Sequence, residues 1–270
     1  MTDERPEPTV QDVSDWWATS VSRIEPNRIE LRGQPVQDLI GSISFPGIIW
    51  LMVRGEIATA GQERLLEAAL VASVDHGPHA PSIAVARMAA TCGIGLNNAV
   101  ATGVNLLGDV HGGAGEQCMA LLADVRQLHQ DGTDLATAAA ATVQTWQAQS
   151  KYLPGFGHRF HTVDPRRDPL LGQVEHAVTD GVVDGTYLRA AHAIERVLAE
   201  GSSRPVPINI DGCTAVVYAE LGFPPPLARG LFVLSRSVGI LAHAWEETGQ
   251  GRRNKGPMPP SILPTFHDGS

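Results

Sequence analysis

The sequence has little cysteine, few aromatic residues and a deficit of positive charge, and each shortage removes a class of explanation. Its 270 residues include three cysteines, Cys92, Cys118 and Cys213. They form neither an even, closely spaced disulfide framework nor a C-x-x-C pair, which argues against a disulfide-stapled domain and a thiolate zinc site. Lys plus Arg number 20 against 29 Asp plus Glu, a formal net charge of -9. That balance argues against binding nucleic acid through bulk charge, but leaves room for a local basic pocket that holds an anionic small molecule. A continuous apolar run of about 18 residues is missing, so no transmembrane helix is expected. The opening MTDERPEPTV has no apolar segment of the kind a secretory signal needs. The expectation is a cytoplasmic protein with neither a membrane nor a nucleic-acid partner.

Alternating strand-like text is also nearly absent, and what replaces it is helical. Alanine, the best helix former, occurs 32 times, whereas aromatics make up 5% of the chain. Between Ala60 and Val74, residues Leu65, Leu66, Ala69, Leu70 and Ser73 repeat on a helical face. Asp134 to Ser150 contains no Gly or Pro and reads as a long helix. Thr186 to Glu200 repeats the pattern through Leu188, Ala191, Ile194, Val197 and Leu198. Leu227 to Glu247 is apolar around most of its surface, which predicts deep burial. Pro207 to Ile210 is a short strand candidate, Arg28 to Arg32 a candidate hairpin strand, and residues 1–12 are expected to fray. The fold class is all-α, and the length suits roughly two domains.

The helix breaks carry the chemistry. They read Asp75-His76-Gly77-Pro78, Asp109-Val110-His111-Gly112-Gly113-Ala114-Gly115, Pro154-Gly155-Phe156-Gly157-His158-Arg159 and Asn209-Ile210-Asp211-Gly212. Small residues beside a polar one at a helix end let a ligand approach closely, and a helix N-terminus offers free N–H groups to an anion. Singly, each break has an ordinary structural explanation. Asp211 could simply cap the helix that follows it. Arg166, beside Arg167 and Asp168, could belong to a solvated charge cluster. Arg236 is harder to explain away, because an unpaired charge inside an apolar helix is costly and calls for a partner or a ligand. His243 reads as a satisfied core histidine, and the three cysteines as small buried hydrophobes.

Together, in order and spacing, these segments resemble the citrate synthase superfamily over nearly the whole chain. The block from Arg28 to Gly55, VDHGPHAPS, GDVHGGAG, LPGFGHRFHTVDPR, NIDG and LFVLSRSVGILAHAWEE each have a counterpart there. Gly115 stands where the family usually has Asn. The chain is shorter than a typical citrate synthase and lacks the family's R-P-x-x-x-Y-x-G ending. In this, and in its DHGP wording, it is most similar to citryl-CoA lyase and to the C-terminal citryl-CoA lyase module of ATP-citrate lyase. It keeps His111, as citrate synthases do and that module does not.

The resemblance implies a citrate-synthase-like multihelical fold. A large, discontinuous dimerisation domain would comprise residues 1–113 and 224–270, and a smaller inserted domain, 114–223, would carry His158 and Asp211. It implies a reversible retro-Claisen cleavage of citryl-CoA to acetyl-CoA and oxaloacetate. Asp211 would be the carbon base or acid, and His111 the donor to the enol oxygen. His158 would exchange a proton with the oxaloacetate oxygen. His76, Arg159, Arg166 and Arg236 would bind substrate, a guanidinium being suited to gripping a carboxylate through two parallel bonds. Arg252, Arg253 and Lys255 would reach the CoA phosphates or a neighbouring subunit's substrate. A coenzyme A thioester would be the substrate, with no tightly bound cofactor and no metal. The chain would form a homodimer, with a tetramer left open.

Three other readings compete. One is a short citrate synthase, or a related enzyme joining an acyl-CoA to a 2-oxo acid. Another is a non-catalytic CoA-binding paralogue. The third is a metal-dependent hydrolase built on Asp75, His76, His79, His158 and His161, although Gly77 and Pro78 interrupt the helical spacing of its first group. A P-loop or dinucleotide-binding reading fails, because no G-x-x-x-x-G-K-[ST] is present and no strand precedes a G-x-G-x-x-G.

Overall fold

The computed structural model describes residues 9–157, 162–200 and 206–268. Twelve helices and three short strands make up the regular structure among these residues, and the fold is all-α. The chain separates into two compact units, one ending at Arg64 and the other beginning at Leu65.

The first unit holds helix α1 (Val10–Trp16), strands β1 (Ser22–Glu25), β2 (Arg28–Leu31) and β3 (Gln34–Pro35), and helices α2 (Val36–Leu39) and α3 (Phe45–Arg54). The expected hairpin is a three-stranded antiparallel sheet in the order β1-β2-β3. Of residues 1–12, 1–8 lie outside the described residues, and 9–12 are ordered rather than frayed. Helix α1 begins at Val10 because Thr9 and Asp12 form a reciprocal capping box. In α3, Ser44 caps the N-terminus, Gly55 closes the C-terminus in the left-handed conformation, and Trp50 and Leu51 are buried.

Helix α4 (Ala60–Ser73) leads into the second unit, followed by α5 (Pro81–Ala90), α6 (Leu96–Val104), α7 (Ala114–Gln130) and α8 (Leu135–Gln147). Then come α9 (Arg167–Thr179), α10 (Thr186–Glu200), α11 (Ile210–Glu220) and α12 (Pro225–Gly249). Small residues let α5, α6 and α12 pack closely around Ala80, Ile83, Ala86, Ala99, Ile240 and Ala244. Helices α7, α8, α10 and α11 pack on one another, with α9 on α11, and both α7 and α11 also touch α12. Helix α10 has the bounds its periodicity predicts, and it buries Leu188, Ala191, Ile194 and Leu198. Each such Leu or Ile contributes about 1.5–3 kcal/mol on burial.

Three expectations need correction. Helix α12 is not deeply buried all round, since Leu234, Val238, Leu241 and Trp245 are exposed. Its length and composition would suffice to cross a membrane, but one face packs on α5, α6 and α7. Pro207 to Ile210 is not a strand. Ile208 makes a single bridge to Phe156, and Asn209 already caps α11. Cys92 is exposed, because α5 has ended two residues before it, whereas Cys118 and Cys213 are buried.

Candidate functional site

His111 lies in the turn between α6 and α7, held by a hydrogen bond from the Gly108 N–H to its carbonyl. Its Nε2 is 3.2 Å from the backbone N of Ser82 and 2.9 Å from the Ser82 Oγ. Ser82 is in the first turn of α5, where N–H groups have no acceptor within the helix. A backbone N–H can only donate, so Nε2 must present its lone pair, and the neutral ring then carries its hydrogen on Nδ1. Burial pushes the His111 pKa down, and the charges of Arg236 and His76 push it the same way, against an opposing pull from Asp211. His111 is therefore a neutral imidazole with one donor, Nδ1–H, directed away from Ser82.

Asp211 is in the first turn of α11, but it does not cap that helix. Asn209 does, its side chain accepting from the Asp211 and Gly212 N–H groups at 2.9 and 3.2 Å. The Asp211 carboxyl makes no hydrogen bond or ion pair with any described residue, which leaves its oxygens available for chemistry. Burial raises its pKa, and the positive charges of Arg236, Arg166 and His76 limit the rise. Asp211 also lines one small cleft with Gly112, Gly115 and Thr214.

The loop preceding His158 is fastened beside this helix start. Gly157 N–H donates to the Pro207 carbonyl at 2.8 Å, Asn209 N–H donates to the Gly155 carbonyl at 2.9 Å, and the Asn209 amide donates to the Gly157 carbonyl at 2.7 Å. His158 and Arg159 themselves lie outside the described residues, as does His161.

Arg236 is 6% exposed. Its Nε donates to the Ser73 carbonyl at 3.1 Å, and its guanidinium lies 4.9 Å from the Phe232 ring centroid. It has no carboxylate within ion-pair distance among the described residues, and burial lowers its pKa. The cost anticipated from sequence is thus only partly offset within the chain, as a residue that awaits an anion requires. Arg166 is not part of a cluster with Arg167 and Asp168. It makes a two-pronged pair with buried Asp164, Nε to Oδ1 at 3.0 Å and Nη2 to Oδ2 at 2.8 Å. It also donates to the Ala72 carbonyl at 3.2 Å and lies 3.5 Å from His76 Nδ1. Arg167 instead joins α9 to α10 through Glu195, which also accepts from the Ile208 N–H and pairs with His192.

The turn that carries His76 is braced by α12. Gly239 lies so close to the Val74 carbonyl and Asp75 that a Cβ there would overlap both. His243 Nε2 is 3.3 Å from Asp75 Oδ1, and its Nδ1 is 3.3 Å from Arg87. The basic tail divides in two. Lys255 is tied to both oxygens of the buried Glu247 at 2.8 Å, and Glu247 also pairs with Arg87 at 2.6 Å. Arg252 and Arg253 are exposed. The structure thus gathers His111, Asp211, Arg236, Arg166 and His76 into one electrostatic neighbourhood and gives Lys255 a local partner. Ser82, Asn209 and Asp164 are the supporting residues whose roles sequence reading missed, although they sit inside the recognised HAPS, NIDG and VDPR segments. No three His, Cys, Asp or Glu side chains among the described residues cluster in a way that would hold a metal ion.

Known proteins resemble this chain in sequence and in fold. A citrate synthase from Haloferax volcanii is 28% identical over 82% of this chain and 56% of its own length, so the chain spans about half the length of the curated relatives it matches. The solved citryl-CoA lyase of Hydrogenobacter thermophilus superposes with a TM-score of 0.82 at 28% identity, over 94% of this chain and 95% of that one. A Thermoplasma acidophilum citrate synthase, solved with carboxymethyl coenzyme A and oxaloacetate, gives 0.64 at 26% identity over 84% of this chain and 59% of its own. The family model described as citrate synthase, C-terminal domain, matches residues 58–258, well over half of the sequence, and the chain belongs to the citrate synthase family.

Proposed function

We propose that this protein is a citryl-CoA lyase, which cleaves citryl-CoA reversibly to acetyl-CoA and oxaloacetate. The observation that carries the reading is the end-to-end match, in fold and length, to the Hydrogenobacter thermophilus citryl-CoA lyase. The site chemistry supports it. In the cleavage direction His158 takes the proton from the tertiary hydroxyl. The carbon–carbon bond breaks to leave a carbonyl on oxaloacetate and an enolate on the thioester. The His111 Nδ1–H donates to the enolate oxygen, and a neutral donor suits this step because it stabilises charge without surrendering its proton. Asp211 protonates the departing carbon. Its raised pKa keeps more of the acid form available near neutrality, and in the condensation direction the same shift makes it a stronger base.

Arg236, supported by Phe232 and the Ser73 carbonyl, supplies cationic binding for a substrate carboxylate, and His76 and Arg166 lie beside it. Arg159, Arg252 and Arg253 are assigned to the carboxylates and the CoA phosphates, whereas Lys255 is tied to Glu247 and holds the tail in place. The exposed apolar row Leu234, Val238, Leu241 and Trp245 on α12, at spacings of four, three and four, suits a second copy of the chain. A homodimer is part of the reading, to be checked by light scattering.

The curated relatives named citrate synthase favour a second reading, in which the thioester is also hydrolysed. One experiment separates the two. Citryl-CoA is given to the purified protein, and oxaloacetate and free thiol are recorded together. Oxaloacetate and acetyl-CoA without free thiol support the lyase. Citrate with released CoA selects the synthase, and neither product rejects both.

A further inference from the structure

The face of α11 below Asp211 holds a polar group with nothing to bond. Tyr218 follows Asp211 by seven residues, two helical turns, and Thr214 lies between them on the same face. Tyr218 is 2% exposed, and its hydroxyl has no hydrogen-bond partner among the described residues. A buried hydroxyl left in this state is unfavourable unless a ligand or solvent atom completes it. The ring stands edge-on to Phe223, with centroids 6.3 Å apart at an interplanar angle of 81°.

Tyr218, Thr214 and Asp211 line one cleft with Gly112 and Gly115 of the α7 entrance, Phe232 of α12 and the paired side chains of Glu116 and Arg229. The cleft is open at Gly115. A Cβ there would make only ordinary contacts, 3.6 Å to the Asp211 carbonyl oxygen and 3.8 Å to Thr214 Oγ1. Its enclosed space matches about one water-sized group.

We infer that this cleft is a subsite for a small polar substituent on the carbon that Asp211 deprotonates, so that the enzyme accepts a two-carbon 2-hydroxyacyl thioester alongside the acetyl thioester. The inference rests on the condensing and cleaving activity proposed above and extends it to acyl selectivity. The substituent hydroxyl accepts from the Tyr218 O–H, while a methyl of the same size leaves that donor unpaired. The chemistry is otherwise unchanged. Asp211 takes the proton from the substituted carbon, and the electron pair forms the bond to the ketone carbon of the 2-oxo acid. The ketone oxygen takes up a proton, the thioester survives, and nothing is oxidised or reduced.

The test uses the full-length protein with oxaloacetate and, in parallel, acetyl-CoA, propionyl-CoA and glycolyl-CoA, following each condensed thioester by mass spectrometry. Glycolyl-CoA is expected to exceed propionyl-CoA about tenfold in kcat/KM, the discrimination that one satisfied buried hydrogen bond provides. Tyr218→Phe should remove most of that preference. Gly115→Ala, whose Cβ fits without strain, should lower the ratio of both longer thioesters to acetyl-CoA and provides a second variant should Tyr218→Phe fold poorly. If acetyl-CoA condenses while glycolyl-CoA is no better than propionyl-CoA, or if neither variant shifts the ratios, the subsite is overturned and the activity stands. If acetyl-CoA is also inert, the activity itself is refuted and the subsite falls with it.

Discussion

The Ser82 backbone N–H donates to Nε2 of His111 across 3.2 Å, and this bond determines which face of the imidazole can act. It holds the ring as a neutral Nδ1–H donor, and burial and the charges of Arg236 and His76 push its pKa down. The prediction is a His111 titration below the ordinary imidazole range, read by NMR, with Nε2 showing the shift of an unprotonated nitrogen. His111→Ala should lower kcat by about 100- to 1,000-fold, the usual effect of losing one donor to a developing oxyanion.

Asp211 should give an opposite signature in stability. Its folded pKa is raised by burial, so the ionised form is disfavoured in the fold. This costs stability as pH rises above the unfolded carboxylate value. Asp211→Asn, which removes the charge and keeps the shape, is expected to raise Tm at neutral pH while turnover falls about 100-fold or more. A lowered Tm would show that the carboxylate has a stabilising partner.

Arg236 and Asp211 are electrostatically linked, each affecting the other's proton affinity. Removing the guanidinium by Arg236→Met should raise the Asp211 pKa further. Cleavage, which needs protonated Asp211, declines as pH rises through that pKa. The alkaline limb of the cleavage profile should therefore move to higher pH in the variant, while KM for the carboxylate-bearing substrate rises.

The Arg167–Glu195–His192 group makes a separate prediction about acid stability. Burial alone would raise the Glu195 pKa, but His192, the Ile208 N–H and Arg167 together bring it down to about 2. A depressed carboxylate stabilises above its unfolded pKa and loses that contribution as pH falls toward the folded value. Glu195→Gln should cost about 3 kcal/mol at pH 7, and the difference from the parent protein should shrink between pH 4.5 and about 2 in urea titrations.

Lys255 offers a test between two roles. It neutralises Glu247, which burial pushes up and which Lys255 and Arg87 hold below its ordinary pKa. Lys255→Met should cost about 1–3 kcal/mol, a drop of several degrees in Tm. A rise in KM for the CoA thioester with unchanged Tm would instead mark Lys255 as a phosphate ligand. Arg252→Ala and Arg253→Ala should raise that KM without affecting Tm, because both residues are exposed.

Much of this is legible in the sequence because it depends on local pattern. Helix α10 alternates buried and exposed residues at helical period, so its ends and its core face follow directly. The site breaks are legible because Gly and Pro mark where helices must stop. Other features depend on distant approach. That Arg166 belongs to Asp164 and Ala72 rather than Asp168, and that Lys255 folds back on Glu247, depend on how helices pack. Asp211 reads as a cap because Asp commonly caps. Asn209, two residues earlier, holds the position from which a side chain reaches the free N–H groups. The face of α12 that carries Leu234 and Trp245 is as apolar as its buried face, so composition could not distinguish the two.

The most direct test of the account follows the proton that Asp211 is assigned to move. Citryl-CoA is cleaved in D2O, and the acetyl-CoA formed is examined by mass spectrometry for the wild-type protein and for Asp211→Asn. The account predicts acetyl-CoA carrying one deuterium on its methyl carbon from the wild type, and at least a 100-fold slower cleavage by the variant. An Asp211→Asn protein that cleaves citryl-CoA at the parent rate would contradict it.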